Sequence, residues 1–191
     1  KTLQSGSPLY LMLHKPRGVL SATIDEQHAT VLDLIDHPLS STLHIAGRLD
    51  LHASGLMLLT NDGRWSRQLS SPASAVEKVY LVTVQNPLDA EYVTAFQAGM
   101  FFSFENITTR PAHLEILDAC TARVTLHEGR YHQIKRMFGR FRNPVLGIHR
   151  IATGGLALDP ALASGASREL RDDEVESACP GFTARLRTVA N

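Results

Sequence analysis

Hydrophobic and polar positions in this chain follow two rhythms, and the points where one gives way to the other mark its elements. Lys78 to Val84 alternates strictly, with Tyr80, Val82 and Val84 on one face and Val79, Leu81 and Thr83 on the other, which predicts a half-buried strand. Leu9 to Leu13 and Val145 to Ile151 read as further strands. Leu56 to Leu59 is apolar throughout, too short for a helix of ordinary length, and stops at the turn Asn61-Asp62-Gly63, so it predicts a buried strand. Pro111 to Leu117 and Ala122 to His127 form a hairpin-like pair around Asp118. Helical spacing takes over elsewhere. Ile134, Met137, Phe138 and Phe141 fall on one face of an amphipathic helix whose polar side carries Lys135 and Arg136. Thr30 to Ile35, Arg64 to Leu69 before Pro72, and the acidic stretch Asp172 to Ala178 read as short helices. Asp89 to Ala98 reads as a packing helix with an N-cap at Asp89 and a stop at Gly99. The apolar Leu156 to Leu158 and then Ser167 to Leu170 follow the last long strand.

Composition narrows the class. A chain of 191 residues, 43% hydrophobic and 20% charged, suits one good-sized core or two small lobes sharing a cleft. No apolar run reaches the length of a membrane span, and Lys1 to Pro8 lacks the apolar centre of a signal peptide, so a cytoplasmic protein is expected. Cys120 and Cys179 are far apart without a CxxC partner and read as reduced, structural thiols. The nine histidines are scattered, so no metal site is predicted.

Charge changes the picture through its distribution. The formal net charge is zero, which argues against wholesale electrostatic binding to nucleic acid. Yet Gly129 to Leu158 contains no Asp or Glu, while Arg130, Lys135, Arg136, Arg140, Arg142 and Arg150 all lie within it. This is either a solvated helix face or one basic surface on a neutral protein. Two single residues carry the same kind of ambiguity. Asp50, between Gly47-Arg48 and Gly55, is either a solvated turn residue or a loop carboxylate held between two structured pieces. Tyr80 is either a buried tyrosine whose hydroxyl finds a partner or a residue with another use.

Resemblance favours the second reading in each case. Gly47-Arg48-Leu49-Asp50, four residues, Gly55-Leu56, an apolar strand and Thr60-Asn61-Asp62-Gly63 resembles the ribosomal RNA pseudouridine synthases. Glu128-Gly129-Arg130-Tyr131-His132-Gln133-Ile134-Lys135-Arg136-Met137-Phe138 is similar to the branch that acts on 16S RNA. Weaker matches are the turn His14-Lys15-Pro16-Arg17-Gly18, read as leaving Lys15 and Arg17 projecting, and Lys78-Val79-Tyr80.

The resemblance implies an α+β fold, the pseudouridine synthase fold, with a mixed, mainly antiparallel sheet, flanking helices and a central active-site cleft. It implies that Asp50 is catalytic, that Tyr80 stacks on the target base and that Lys135 is the ion partner of Asp50. Lys15, Arg48, Arg130, Arg136 and Arg150 become RNA-binding candidates, with His132 and Gln133 ordering the site through hydrogen bonds. The isomerisation adds nothing to the substrate, so no cofactor is expected. The partner is ribosomal RNA, namely 16S RNA within a small-subunit assembly intermediate, and the protein is expected to be a monomer. Relatives of this branch usually carry a small RNA-binding domain first; residues 1–191 are read as catalytic domain throughout, without it.

Departures from the family pattern are His14 for Asn, Ala53 for Thr, Ile148 for Leu and Thr153 for Ile. A synthase for a 23S site is the alternative within the class. A ribosome-binding module without activity is the alternative outside it, with Ala53 and Ile148 as its first hints.

Overall fold

The computed structural model describes residues 6–184. Its frame is a nine-stranded sheet. The chain enters through β1 (Tyr10–Lys15), passes the short β2 (His44–Ala46) and runs into β3 (Ser54–Thr60) and α1 (Gly63–Ser70). It continues through β4 (Lys78–Val84), α2 (Ala90–Ala98) and a two-stranded hairpin of β5 (Phe101–Phe102) and β6 (Ile107–Thr108). The second half comprises β7 (His113–Asp118), β8 (Thr121–Leu126), α3 (Gln133–Gly139), β9 (Val145–Thr153), β10 (Leu156–Ala157), β11 (Ser167–Glu169) and α4 (Asp172–Ala178).

Strand order is β11-β1-β3-β9-β4-β8-β7, with β2 added to β3 and β10 to β9. Every pairing in this sheet is antiparallel except β3 with β9, where Ser54 meets His149 and Gly55 meets Arg150. That parallel contact joins β1–β3 to β4, β7 and β8. It also brings the start of β3, just beyond Asp50, against the middle of β9.

Local chemistry explains the elements. The β4 alternation holds, with Tyr80, Val82 and Val84 buried. At α1 the Asp62 carboxylate accepts from the Arg64 N–H, so the turn that stops β3 also caps the next helix. Asp89 caps α2 in the same way. The expected helix at Thr30 to Ile35 is a single 3-10 turn, Val31–Leu34, at whose start the Asp33 carboxylate accepts from the Thr30 N–H at 2.8 Å. A core of Leu, Val, Tyr and Phe side chains fills one face of the sheet under α2 and α3. A second core forms around Trp65, which is fully buried and donates to the Val175 carbonyl of α4 at 3.0 Å. Both cysteines are free thiols, Cys179 buried and Cys120 partly so.

Candidate active site

The Asp50 loop runs from the end of β2 to the start of β3, and buried groups hold its backbone at almost every residue. Arg150, on β9, donates to the carbonyls of Gly47 at 3.0 Å, Arg48 at 3.3 Å and Leu56 at 2.8 Å. The Ser21 hydroxyl donates to the Leu49 carbonyl and accepts from the Leu49 N–H at 3.0 Å. Beyond Asp50, Gly18 donates to the Leu51 carbonyl at 2.7 Å. The Lys15 ammonium reaches the carbonyls of Ala53 at 2.7 Å, Pro16 at 3.0 Å and Leu51 at 3.3 Å. Fixing the backbone on both sides of one carboxylate fixes where that carboxylate points.

Two sequence expectations are corrected here. Lys15 does not project from its turn: it is fully buried, with its ammonium on three carbonyls, and presents no donor to RNA. Arg150 is 2% exposed and likewise spends its guanidinium on backbone oxygen. Both are loop anchors. Burial pushes the Lys15 ammonium down to about 8; the charge of Asp50 opposes that shift and the charge of Arg150 reinforces it.

Asp50 itself is partly exposed. Lys135 Nζ lies 3.8 Å and His132 Nε2 3.5 Å from the same oxygen, Oδ2. Among the described residues Oδ1 meets neither a cation nor a hydrogen-bond donor. Lys135 comes from the first turn of α3. His132, immediately before the helix, has φ +47, a left-handed conformation that His adopts more readily than most residues. Its ring stacks on Tyr131 with centroids 3.9 Å apart. The carboxylate is therefore gripped from one side and open on the other.

A cavity of about 110 Å³ opens beside it, lined by Asp50, Ala53, Tyr80, Lys135 and Ile148 among others. That equals roughly three to four waters' share of liquid volume, room for one small flat ring. Tyr80 is 8% exposed and belongs to the core as well as to the cavity wall. Of the family departures, Ala53 and Ile148 line the same cavity, and His14 is hydrogen-bonded to the Leu162 carbonyl at 2.9 Å.

The expected basic surface shrinks. Its stretch contains no acid, but acids from outside reach it. Glu105, in the β5–β6 turn, takes Arg136 in a bidentate pair at 2.7 Å, and the same guanidinium covers the Phe102 ring. Glu128 is buried and accepts from Arg130 Nε at 3.0 Å, Gln133 Nε2 at 3.0 Å and the Arg110 N–H at 2.8 Å. Gln133 is thus a buried member of this network, ordering it through hydrogen bonds at the cavity wall. Arg140 donates to the Phe101 carbonyl. Arg48 and Arg130 remain exposed beside the cavity. Ser21, Glu105 and Glu128 are site residues that the sequence reading missed; only Glu128 carried a signal, as the first residue of its motif. Among the described residues no group of three His, Cys, Asp or Glu side chains could hold a metal ion, and no helix is long and apolar enough to cross a membrane.

This mixed sheet, with a loop carboxylate beside a small cavity, is a pseudouridine synthase fold, and the chain belongs to the RNA pseudouridylate synthase family, whose model matches residues 9–139. Within that family it is similar to the ribosomal small subunit pseudouridine synthases A. The protein of that name from Pseudomonas aeruginosa is 55% identical over 176 residues, 92% of this chain and 76% of that one. The one from Escherichia coli K12 is 43% identical over 174 residues, 91% and 75% of the two chains. A crystal structure of a pseudouridylate synthase superposes with a TM-score of 0.87 at 41% identity, over 92% of this chain and 75% of the other. This chain therefore spans about three-quarters of the length of these relatives.

Proposed function

We propose that this chain converts a specific uridine of 16S ribosomal RNA to pseudouridine, with Asp50 as the catalytic residue. The observation that carries this reading is the Asp50 carboxylate, with Oδ2 held by Lys135 and His132 and Oδ1 open beside a cavity that Tyr80 lines. The identity to small-subunit synthases supports the choice of RNA.

The reaction breaks the bond from ribose C1′ to uracil N1 and makes one from C1′ to C5; the C5 proton leaves and N1 ends protonated. No atom or electron is supplied from outside, so one positioned carboxylate suffices. Its free oxygen serves either as a nucleophile toward the sugar or as a base that removes a sugar proton. Lys135 orients the Asp50 carboxylate, and loop anchors behind it hold the geometry without reorganisation. Tyr80 gives the detached uracil a flat surface on which to turn. The target nucleotide must first leave its stack, which costs on the order of a few kcal/mol. Exposed Arg48 and Arg130 offset part of that cost through phosphate contacts.

Because few cations are exposed around the cavity, the preferred substrate in this reading is RNA already shaped by bound ribosomal proteins, a partly assembled small subunit, modified by the monomeric protein. Residues 1–191 act as the catalytic unit. Mapping pseudouridines in 16S and 23S RNA from cells with and without the gene tests the assignment: one 16S pseudouridine should disappear, and loss of a 23S site instead would redirect it.

A further inference from the structure

A second, larger cavity of about 530 Å³ also has Tyr80 in its wall, and its volume is within the ~300–1,000 Å³ range of ligand sites. Tyr80, Arg48, Gly129 and Arg130 line both cavities, so the two are neighbours across a shared wall. The Asp50 cavity, at about 110 Å³, has room for one flat ring. The larger one has room for more, and its chemistry is distinct.

Its charges do not balance internally. The two acids in its wall are committed: Glu128 to Arg130, Gln133 and the Arg110 N–H, and Glu105 to Arg136. Lys78, Arg48 and Arg110 also line it, and among the described residues none of the three side chains has a carboxylate partner. Lys78 is half-buried, and burial together with Arg150 nearby pushes its ammonium below the usual lysine range. A cation desolvated without a counter-ion is costly, and an anion entering the cavity relieves that cost. On the rim, Tyr131 is 75% exposed, with one ring face covered by His132 and the other free. The Arg136 guanidinium ties this rim together, since it binds Glu105 and also donates to the Tyr131 carbonyl at 3.2 Å.

We propose that this cavity binds the nucleotide next to the target uridine in the same strand, its phosphate on Lys78, Arg48 and Arg110 and its base on the free face of Tyr131. The inference rests on the proposed reaction only in taking RNA as the ligand. It deepens that reading by giving the enzyme a second, shape-selective contact beside the extruded base. Stacking is sequence-tolerant, so the pocket selects an unstacked neighbour in preference to a particular base.

The probes are the nucleoside uridine and the dinucleotide uridylyl-(3′→5′)-uridine, which alone carries a phosphate and a second base, titrated into the whole protein by calorimetry or NMR. The parent should bind the dinucleotide about tenfold more tightly than uridine, a gain typical of one stacked base with its phosphate. Lys78→Met and Tyr131→Leu should each reduce that gain to about twofold or less and leave uridine affinity unchanged. Tyr131 is a surface residue, so at least the second variant keeps its fold. Equal affinity of the parent for both probes, or variants that retain the full gain, overturns the pocket. Pseudouridine formation on ribosomal RNA is measured with the same preparations. Product without a dinucleotide gain removes the pocket and leaves the reaction. A dinucleotide gain without product supports the pocket and removes the reaction.

Discussion

Gly55 lies flush against Arg150: a Cβ at position 55 would stand 2.2 Å from the Arg150 carbonyl oxygen and 2.6 Å from its nitrogen. With φ +110, this glycine also has a backbone that other residues rarely adopt. The contact closes the one parallel pairing in the sheet, next to the loop that Arg150 anchors.

Gly55→Ala should therefore destabilise the protein by roughly 3 kcal/mol or more, because neither the backbone angle nor the neighbouring strand can yield cheaply. Trp65 is the only tryptophan and is buried in the second core, so its fluorescence reports unfolding. A variant with parental stability would mean that β3 and β9 separate at this point without cost.

Lys15→Met separates loop anchoring from RNA contact. Three carbonyls lose their donor in a buried setting, which should cost about 1–3 kcal/mol and lower the rate of the chemical step more than RNA affinity. There is also a pH signature. The folded protein releases the Lys15 proton near 8, whereas the unfolded chain keeps it to about 10.5. Between these values the unfolded state binds more protons, so Lys15 makes stability rise with pH across that window. The slope should be shallower in Lys15→Met. Identical slopes in denaturant unfolding at pH 8 to 10.5 would show that Lys15 titrates as an ordinary surface lysine.

Tyr80 can be divided by two substitutions. Tyr80→Phe keeps the flat face and the core packing and removes only the hydroxyl, whereas Tyr80→Ala removes the stacking surface and leaves a void next to the core. Single-turnover pseudouridine formation should be lost in the alanine variant while RNA binding persists. Full activity of a folded Tyr80→Ala would return this residue to a purely structural role.

Salt dependence should be shallow. Of the lysines and arginines lining the two cavities, Lys135 lies on Asp50 and Arg150 on backbone carbonyls, which leaves Arg48, Lys78, Arg110 and Arg130 to meet phosphate. At about −0.7 per phosphate on a single strand, they predict a slope of log affinity against log salt near −3. Yield should accordingly be higher on a partly assembled small subunit than on free 16S RNA at the same concentration. A slope far steeper than this, with efficient modification of free RNA, would mean that a larger basic surface takes part.

Much of this architecture was legible in the sequence, and the losses have a common cause. Strand β4, the helix α2 and its caps, and the α3 face of Ile134, Met137 and Phe138 follow from local periodicity and capping chemistry. The short strands β2, β5 and β6 are too brief to carry a period, and their pairing is decided by partners elsewhere. The parallel contact of β3 with β9 joins residues far apart in the chain and leaves no local trace. Lys15 and Arg150 looked like surface cations because charge and turn residues usually mean exposure; what buries them is a set of inward-pointing carbonyls that no pattern displays. Arg136 looked free for the same reason, since Glu105 lies 31 residues away. Pairing of Asp50 with Lys135 was anticipated from resemblance, and the two side chains do meet.

The central claim is that the Asp50 carboxylate performs the chemistry and that Lys135 holds it ready. Asp50→Asn keeps the shape and removes the charge, and Lys135→Met removes the cation from Oδ2. The direct measurement is single-turnover formation of pseudouridine by parent and variants on a partly assembled small-subunit particle, with binding measured in parallel. Asp50→Asn should fold, bind and slow the reaction by at least about a thousandfold. Lys135→Met should slow it by roughly a hundredfold, with affinity nearly unchanged. Product formation by Asp50→Asn at the parental rate would contradict the account outright.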